Sequence, residues 1–166
     1  MSSSTRDDIG PARLGRKAIA EHYLAAASQT FDAARDRMAK LQIRPLLLAT
    51  FIDGRHVRVY GGSSLYQNVL DRIGLTNAWT KPTGYFGYAT VGIEELATDR
   101  NVQFITFDHL PPDVKPILRE STLWSRLPFV RSGHISTLPP TLMFGGMPAA
   151  LRFTRLLTAT LASGVA

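Results

Sequence analysis

A cluster of aromatic residues on an irregular segment is the first feature of this sequence that suggests a chemical role. Within ten positions the chain carries four rings: Trp79, Tyr85, Phe86 and Tyr88. One proline and two glycines interrupt the same segment, which therefore predicts a loop and no regular helix or strand. Because loops run over protein surfaces, the rings are suited to cover an apolar, ring-rich or chelate-like ligand. The alternative is that they belong to the hydrophobic core.

A second apolar loop is predicted near the C-terminus. Leu142, Met143 and Phe144 stand between a pair of prolines and a pair of glycines, after a predicted strand and before a predicted helix. In an open α/β sheet, the loops at the carboxyl ends of the strands form the binding crevice. We therefore expect the two apolar loops to occupy equivalent positions and to form one floor of a ligand site. Burial in the core is again the alternative.

Residues with the chemistry of catalysis are sparse. The chain has no cysteine, which excludes disulfides, thiol catalysis and cysteine-ligated metals. No pair of its four histidines has the spacing of zinc ligands, and neither a phosphate-binding glycine loop nor a nucleophile elbow is present. Ser64, Asp108 and His134 could form a hydrolase triad, although Ser64 also fits a helix N-cap paired with Gln67. We expect no catalytic residue and no metal site.

Composition and charge indicate an ordinary globular domain. The chain has 166 residues, of which 45% are hydrophobic and 19% charged, so one packed core is expected. Its net charge is +6, but the basic residues are scattered, which favours a solvated surface over a nucleic-acid site. Residues 1–10 lack the apolar core of a secretory signal and are interpreted as a disordered lead.

Helix and strand patterns alternate along the rest of the chain. The helices and strands that they predict must position the two apolar loops. The strongest helical pattern covers residues 11–43, with one apolar stripe at spacings of three and four: Leu24, Ala27, Phe31, Ala34, Met38 and Leu41. Such a helix would be about 45 Å long, which suggests a strut. The pattern predicts an α/β fold with a mainly parallel sheet flanked by helices. Three parts are expected: a lead (1–10), a long linking helix (11–43) and an α/β lobe (44–166).

Several segments together resemble the C-terminal lobe of periplasmic ferric hydroxamate siderophore-binding proteins, the substrate-binding subunits of iron-uptake ABC transporters. The segments are "RPLLLATFIDGRHVRVYGGSSLYQNVLDRIGLTNAW", "YFGYATVGIEELA", "VQFITFDH", "LWSRLPFVRSGHI" and "MFGGMPAALRFTRLL". The resemblance covers about Leu24 to the end of the chain. It implies one lobe of a two-lobed protein, preceded by the helix that joins the lobes. In that family the first lobe supplies the Arg and Tyr that hydrogen-bond the iron-hydroxamate centre.

The resemblance also implies which residues contact the ligand. Phe86, preceded by Tyr85, stands where relatives have the Trp of an "FWG"-like loop. Leu142 and Phe144 stand where relatives have a Trp and a Tyr in the last loop. Together with Trp79, these residues are expected to form the ligand surface of this lobe, with a ferric hydroxamate siderophore as ligand. No cofactor is expected, and iron is expected only as part of the ferric siderophore.

Two carboxylates follow the aromatic segment, in "GIEEL". Glu94 and Glu95 would lie in the first turn of a short helix, where negative side chains interact favourably with the helix dipole. The resemblance places at Glu94 the family's carboxylate that meets an Arg pocket on the membrane permease of the ABC transporter. It further implies a periplasmic location. From the scattered basic residues no nucleic-acid partner is expected, and self-association through exposed lobe surface is expected as well. The alternatives are a haem- or corrinoid-binding lobe on the same scaffold and a small α/β hydrolase.

Overall fold

The structure, a computed structural model, describes residues 11–97 and 101–164 and contains one five-stranded sheet between two layers of helices. The helices are α1 (Pro11–Ala39), α2 (Leu65–Ile73), the 3-10 helix η1 (Ile93–Leu96), α3 (Val114–Glu120), α4 (Thr122–Arg126), α5 (Pro128–Arg131) and α6 (Gly146–Ser163). The strands are β1 (Leu46–Phe51), β2 (His56–Tyr60), β3 (Tyr88–Gly92), β4 (Gln103–Phe107) and β5 (Ile135–Leu138). The predicted lead, 1–10, lies outside the described residues.

The sheet has the strand order β3-β2-β1-β4-β5 and is half parallel, where the sequence predicted a mainly parallel sheet. β1, β4 and β5 are parallel, whereas β2 pairs antiparallel with both β1 and β3. A tight turn between β1 and β2 explains their antiparallel pairing. The Asp53 carboxylate accepts hydrogen bonds from the backbone N–H of Arg55 at 2.7 Å and of His56 at 2.8 Å, so the chain returns directly beside β1.

Side chains from alternate positions of the strands fill two cores, one on each face of the sheet. In β1, Leu46 and Leu48 point to the face covered by α1, α2 and α6, and Leu47 and Ala49 point to the face covered by η1 and α3–α5. Both faces are therefore sealed, which is why this strand is a continuous apolar run. Residues 114–131 form three short helices rather than one, since Ser121 caps α4 and Pro128 begins α5.

The long helix α1 is buried along only part of its length. Ala27, Phe31, Ala34 and Met38 of the predicted stripe are buried against α2 and α6, and the helix ends at Ala39, earlier than the predicted residue 43. Residues 15–26 are exposed on all sides. Within the described residues, no helix combines the length and the apolar character that crossing a membrane requires.

Candidate ligand-binding groove

An open groove of about 970 Å³ lies between α1, α2, the start of α6 and the two apolar loops. Its volume is in the range of pockets that hold small molecules. Its walls are mostly apolar and come from four parts of the chain that are distant in sequence. The lining residues are Leu24, Ala27, Ser28, Phe31, Ser63, Ser64, Leu65, Asn68, Val69, Arg72, Tyr85, Phe86, Met143, Phe144, Gly146, Met147 and Ala150.

The two apolar loops meet at the mouth of this groove. The rings of Phe86 and Phe144 contact each other edge to face, with centroids 5.8 Å apart and an interplanar angle of 80°. Tyr85 packs edge to face on Phe86 at 5.3 Å. These three rings, which we call the aromatic shelf, remain 93% (Tyr85), 56% (Phe86) and 75% (Phe144) exposed. Edge-to-face contact keeps the rings in place while leaving ring surface free for a ligand.

The first loop is held against the start of α2 by close backbone packing. Gly87 has φ 75°, and a Cβ at this position would lie 2.3 Å from the backbone nitrogen of Ser64, so no side chain fits. The N–H of Gly61 donates to the Gly87 carbonyl at 3.0 Å. This loop follows the helix α2 and leads into β3, so it is not equivalent to the second loop, which follows the strand β5.

The second loop, residues 139–145, is attached to α2 through a side chain. Tyr66 is 2% exposed, and its hydroxyl donates to the Thr141 carbonyl at 2.9 Å and accepts from the Thr141 hydroxyl at 3.2 Å. Burial raises the pKa of Tyr66 to about 12, so this hydroxyl stays protonated and remains a donor. Leu142, at the outer side of the loop, is exposed and does not line the groove.

Trp79 does not belong to the aromatic shelf, which corrects the sequence-based assignment. Its ring is 8% exposed and packs in the core on the other face of the sheet. Its backbone N–H donates to the side-chain oxygen of Asn77 at 2.9 Å, and Gly61 lies against the ring. A Trp that is buried by residues distant in sequence cannot be distinguished, from a loop-like sequence alone, from one that is exposed.

A polar cluster on the wall between α1 and α2 was not foreseen. The Arg72 Nη2 donates to the Ser28 hydroxyl and to the Asp32 carboxylate, each at 3.0 Å. Arg72 and Ser28 line the groove. Among the described residues that line it, Arg72 is the only one with a charged side chain. No local sequence signal could have revealed this cluster, because Arg72 lies 44 residues from Ser28 and 40 from Asp32, on a different helix.

Comparison with known proteins identifies the family. The sequence model of the family described as periplasmic binding protein matches residues 12–142, most of the chain. The chain belongs to the periplasmic binding protein family. The iron(3+)-hydroxamate-binding protein FhuD of Escherichia coli is 36% identical over 144 residues, covering 87% of this chain and 49% of that protein. The chain thus spans about half the length of this curated relative.

Solved structures of other periplasmic binding proteins share the fold. FhuD from Vibrio cholerae, bound to Fe3+-Desferal, has a TM-score of 0.78 and 23% identity, covering 93% of this chain and 59% of that chain. A periplasmic binding protein component of a Fep/Fec-like ferrichrome ABC transporter from Bacillus subtilis has a TM-score of 0.67 and 19% identity. The match covers 96% of this chain and 66% of that chain. The expected fold, α/β layers of this kind preceded by a long helix, is confirmed.

The hydrolase alternative is not supported by the geometry of this periplasmic binding protein. β4 and β5 are parallel, with Phe104 beside Ile135 and Phe107 beside Leu138. Asp108 follows one end of this pair and His134 precedes the other, so at least about 13 Å of strand separates them. The Ser64 hydroxyl instead accepts the backbone N–H of Gln67 at 3.1 Å, as the N-cap of α2.

Glu94 lies at the opposite end of β3 from the aromatic shelf. The predicted short helix is the 3-10 helix η1, with Glu94 and Glu95 exposed in its first turn, and residues 98–100 lie outside the described residues. Glu95 forms an ion pair with Lys81. Glu94 instead borders a hollow of about 370 Å³ that it shares with Arg55 and His56. The two carboxylates therefore have different surroundings.

Proposed function

We propose that this chain acts as the C-terminal ligand-binding lobe of a substrate-binding subunit for ferric hydroxamate siderophore import. The observation that carries the proposal is the contact between Phe86 and Phe144, which turns two separate loops into one exposed aromatic surface beside a groove. Relatives that are named for binding an iron hydroxamate or a siderophore support the choice of substrate class. They give no support to the haem or corrinoid alternative.

The chemistry of the shelf suits such a ligand. A ferric ion bound by three hydroxamates forms a neutral complex whose oxygens fill the metal's coordination sphere, so the protein needs no metal ligand of its own. The periphery of the complex is largely hydrocarbon chain, which gains free energy by covering aromatic faces. The exposed rings of Tyr85, Phe86 and Phe144 offer those faces, and Met143 and Met147 supply adaptable apolar contacts beside them.

The affinity of this chain alone should be low. The groove is open, and the chain spans about half of its curated relative. The resemblance assigns the hydrogen bonds to the iron-hydroxamate centre to the other lobe, and those charge-assisted contacts contribute strongly to binding. We therefore expect a dissociation constant for ferrioxamine B weaker than about 1 µM.

Equilibrium dialysis with ferrioxamine B tests the proposal. Truncating a central aromatic contact commonly costs more than about 1 kcal/mol of binding free energy, so Phe86→Ala and Phe144→Ala should each weaken binding about fivefold or more. Leu123→Ala, an exposed apolar residue on α4 outside the groove, is the matched control and should bind like the wild type. Equal affinity in all four proteins, or stronger binding of haem or a corrinoid than of ferrioxamine B, would contradict the proposed ligand.

Docking on a membrane permease through Glu94 is part of the same proposal, as is a periplasmic location. In a chimera that places this lobe behind the first lobe of a related binding protein, Glu94→Ala should reduce uptake while leaving ligand affinity intact. A desolvated Arg left without its carboxylate costs about 2–5 kcal/mol. Glu95→Ala should matter less, because Glu95 is already paired with Lys81. Equal uptake by the wild-type chimera and Glu94→Ala would remove Glu94 from the docking surface.

Self-association is proposed from the exposed part of α1. Ile19, Tyr23 and Leu24 present apolar surface to solvent on the first half of this helix, and Phe144 and Tyr85 are exposed nearby in sequence-distant loops. Exposed apolar patches of several hundred Å² favour association. Light scattering should therefore report a dimer or larger species, with a lower association constant for Ile19→Ser. A monomer at high concentration would contradict this.

A further inference from the structure

A buried hydroxyl lies where the second apolar loop passes α2. Tyr66 stands in the first turn of α2, and Thr141 lies 75 residues later in the loop that carries Phe144. The Tyr66 hydroxyl both donates to the Thr141 carbonyl, at 2.9 Å, and accepts from the Thr141 hydroxyl, at 3.2 Å. The carbonyl and the hydroxyl of Thr141 therefore occupy the donor site and one acceptor site of the phenol.

The position of this hydroxyl is set by the core, because the Tyr66 ring is enclosed by three other rings. Phe107 stacks on it with centroids 5.1 Å apart, Phe153 tilts against it at 4.7 Å, and Tyr60 meets it edge to face at 4.8 Å. A ring packed in this way cannot swing out without opening the core. The oxygen is thus a fixed point to which a flexible segment can attach.

Apart from apolar packing, the loop has few other contacts that hold it. Its internal hydrogen bond runs from the Gly145 N–H to the Leu142 carbonyl at 3.2 Å. Among residues 11–97 and 101–164, Tyr66 is the side chain from outside the loop that hydrogen-bonds to residues 139–145. Phe144 follows Thr141 by three residues, so the attachment point lies within one turn of the ring that completes the aromatic shelf.

We propose that Tyr66 is a positioning residue that holds the 139–145 loop so that Phe144 meets Phe86 in a preformed ligand surface. The proposal rests on the function proposed above for the aromatic shelf. Since Ser64, two residues earlier, packs against Gly87 of the first loop, one short segment at the start of α2 places both loops. Preorganisation of this kind removes an ordering cost that the ligand would otherwise meet on binding.

Tyr66→Phe tests the role, because it keeps the ring and removes the hydroxyl. Tyr60→Phe is the matched control, since Tyr60 belongs to the same ring cluster but its hydroxyl is bonded to the Thr50 hydroxyl, at 2.8 Å, away from the loop. Hydrogen exchange without ligand should show the Gly145 amide, which donates to the Leu142 carbonyl, exchanging about three- to tenfold faster in Tyr66→Phe than in Tyr60→Phe. Thr141→Val, which leaves the bond to the carbonyl possible, should have a smaller effect.

Affinity for ferrioxamine B provides the second readout, with an expected loss of about three- to tenfold in Tyr66→Phe and none in Tyr60→Phe. Equal loop exchange in the two variants would overturn the proposal. Faster loop exchange with unchanged ferrioxamine B affinity would also overturn it, because the loop's placement would then not matter for binding. Failure of the wild type to bind ferrioxamine B would contradict the shelf's proposed function, and with it the ligand part of this inference, while the exchange measurement still decides whether Tyr66 holds the loop.

Discussion

The two loops that form the aromatic shelf expose rings of similar size but are fixed by different means. The first loop is fixed by backbone contact, since Gly87 lies so close to Ser64 that a Cβ would be 2.3 Å from its nitrogen. The second is fixed by a hydrogen bond between the side chain of Tyr66 and the backbone of Thr141. Backbone contact tolerates almost no substitution, whereas a hydroxyl can be removed with the fold intact.

This difference predicts that the first loop is a rigid part of the lobe and that the second can be adjusted. Both loops attach to the same segment, the turn and first residues of α2. Substitutions in the second loop or in its attachment should therefore change ligand preference at modest cost in stability. Substitutions at the attachment of the first should act mainly on folding.

Gly87→Ala should have the largest effect. The substitution places a Cβ against the Ser64 backbone and forces Ala to adopt φ 75°, so we expect about 2–4 kcal/mol lower free energy of unfolding. Gly133→Ala is the control, because Gly133 also has a positive φ, 69°, but open space around its Cβ position. It should cost only about 1–2 kcal/mol. Urea denaturation measures both, and equal losses would refute the close-contact explanation.

Alkaline pH should weaken the attachment of the second loop. Burial raises the pKa of Tyr66 from 10.0 to about 12, so the unfolded chain loses this proton at lower pH than the folded one. The stabilising contribution is fully present below pH 10 and is lost as the pH rises towards 12, by up to about 2–3 kcal/mol.

The comparison of wild type with Tyr66→Phe isolates this effect from that of Tyr60, whose pKa burial also raises. Urea unfolding at pH 8, 10 and 11 should show the wild type losing more stability than Tyr66→Phe over this range. If the two proteins lost stability in parallel, ionisation of Tyr66 would have no part in the alkaline transition.

Ser64→Ala should have the smallest effect of the three and separates capping from catalysis. Removing the side chain that caps α2 should lower the free energy of unfolding by about 0.5–2 kcal/mol. Ser121→Ala, which removes the equivalent cap of the short helix α4, provides a comparison on the opposite face of the sheet. We expect no ester hydrolysis by the wild type or by either variant. Ester hydrolysis by the wild type that disappears in Ser64→Ala would reinstate the hydrolase alternative.

Local patterns were sufficient to predict some of these features. The glycines and prolines around Phe86 and Phe144 predicted loops, and the stripe containing Phe31 and Met38 predicted the buried face of α1. What could not be predicted depends on residues far apart in sequence. β3 forms because Tyr88–Gly92 pairs with β2, and its short glycine-flanked sequence carries little strand signal of its own.

Burial of Trp79 shows the same limit. The ring lies on the face of the sheet opposite the groove because the chain after α2 pairs with the start of β1, through the contact of Asn77 with Leu46. The attachment of Thr141 by Tyr66 likewise spans most of the lobe. Such contacts are set by tertiary packing, so the sequence predicts which loops carry rings but not which rings line the groove.

Methionine methyl NMR with the gallium complex of desferrioxamine B shows directly whether the complex binds in the groove beside the aromatic shelf. Gallium(III) replaces iron without paramagnetic broadening, and the chain has four methionines. Met143 and Met147 line the groove, whereas Met38 is buried in the core as an internal control. If the groove is the ligand site, the Met143 and Met147 methyl signals should shift saturably while the Met38 signal stays unchanged. Unchanged groove signals at saturating complex, or binding that shifts only signals outside the groove, would contradict this assignment of the ligand site.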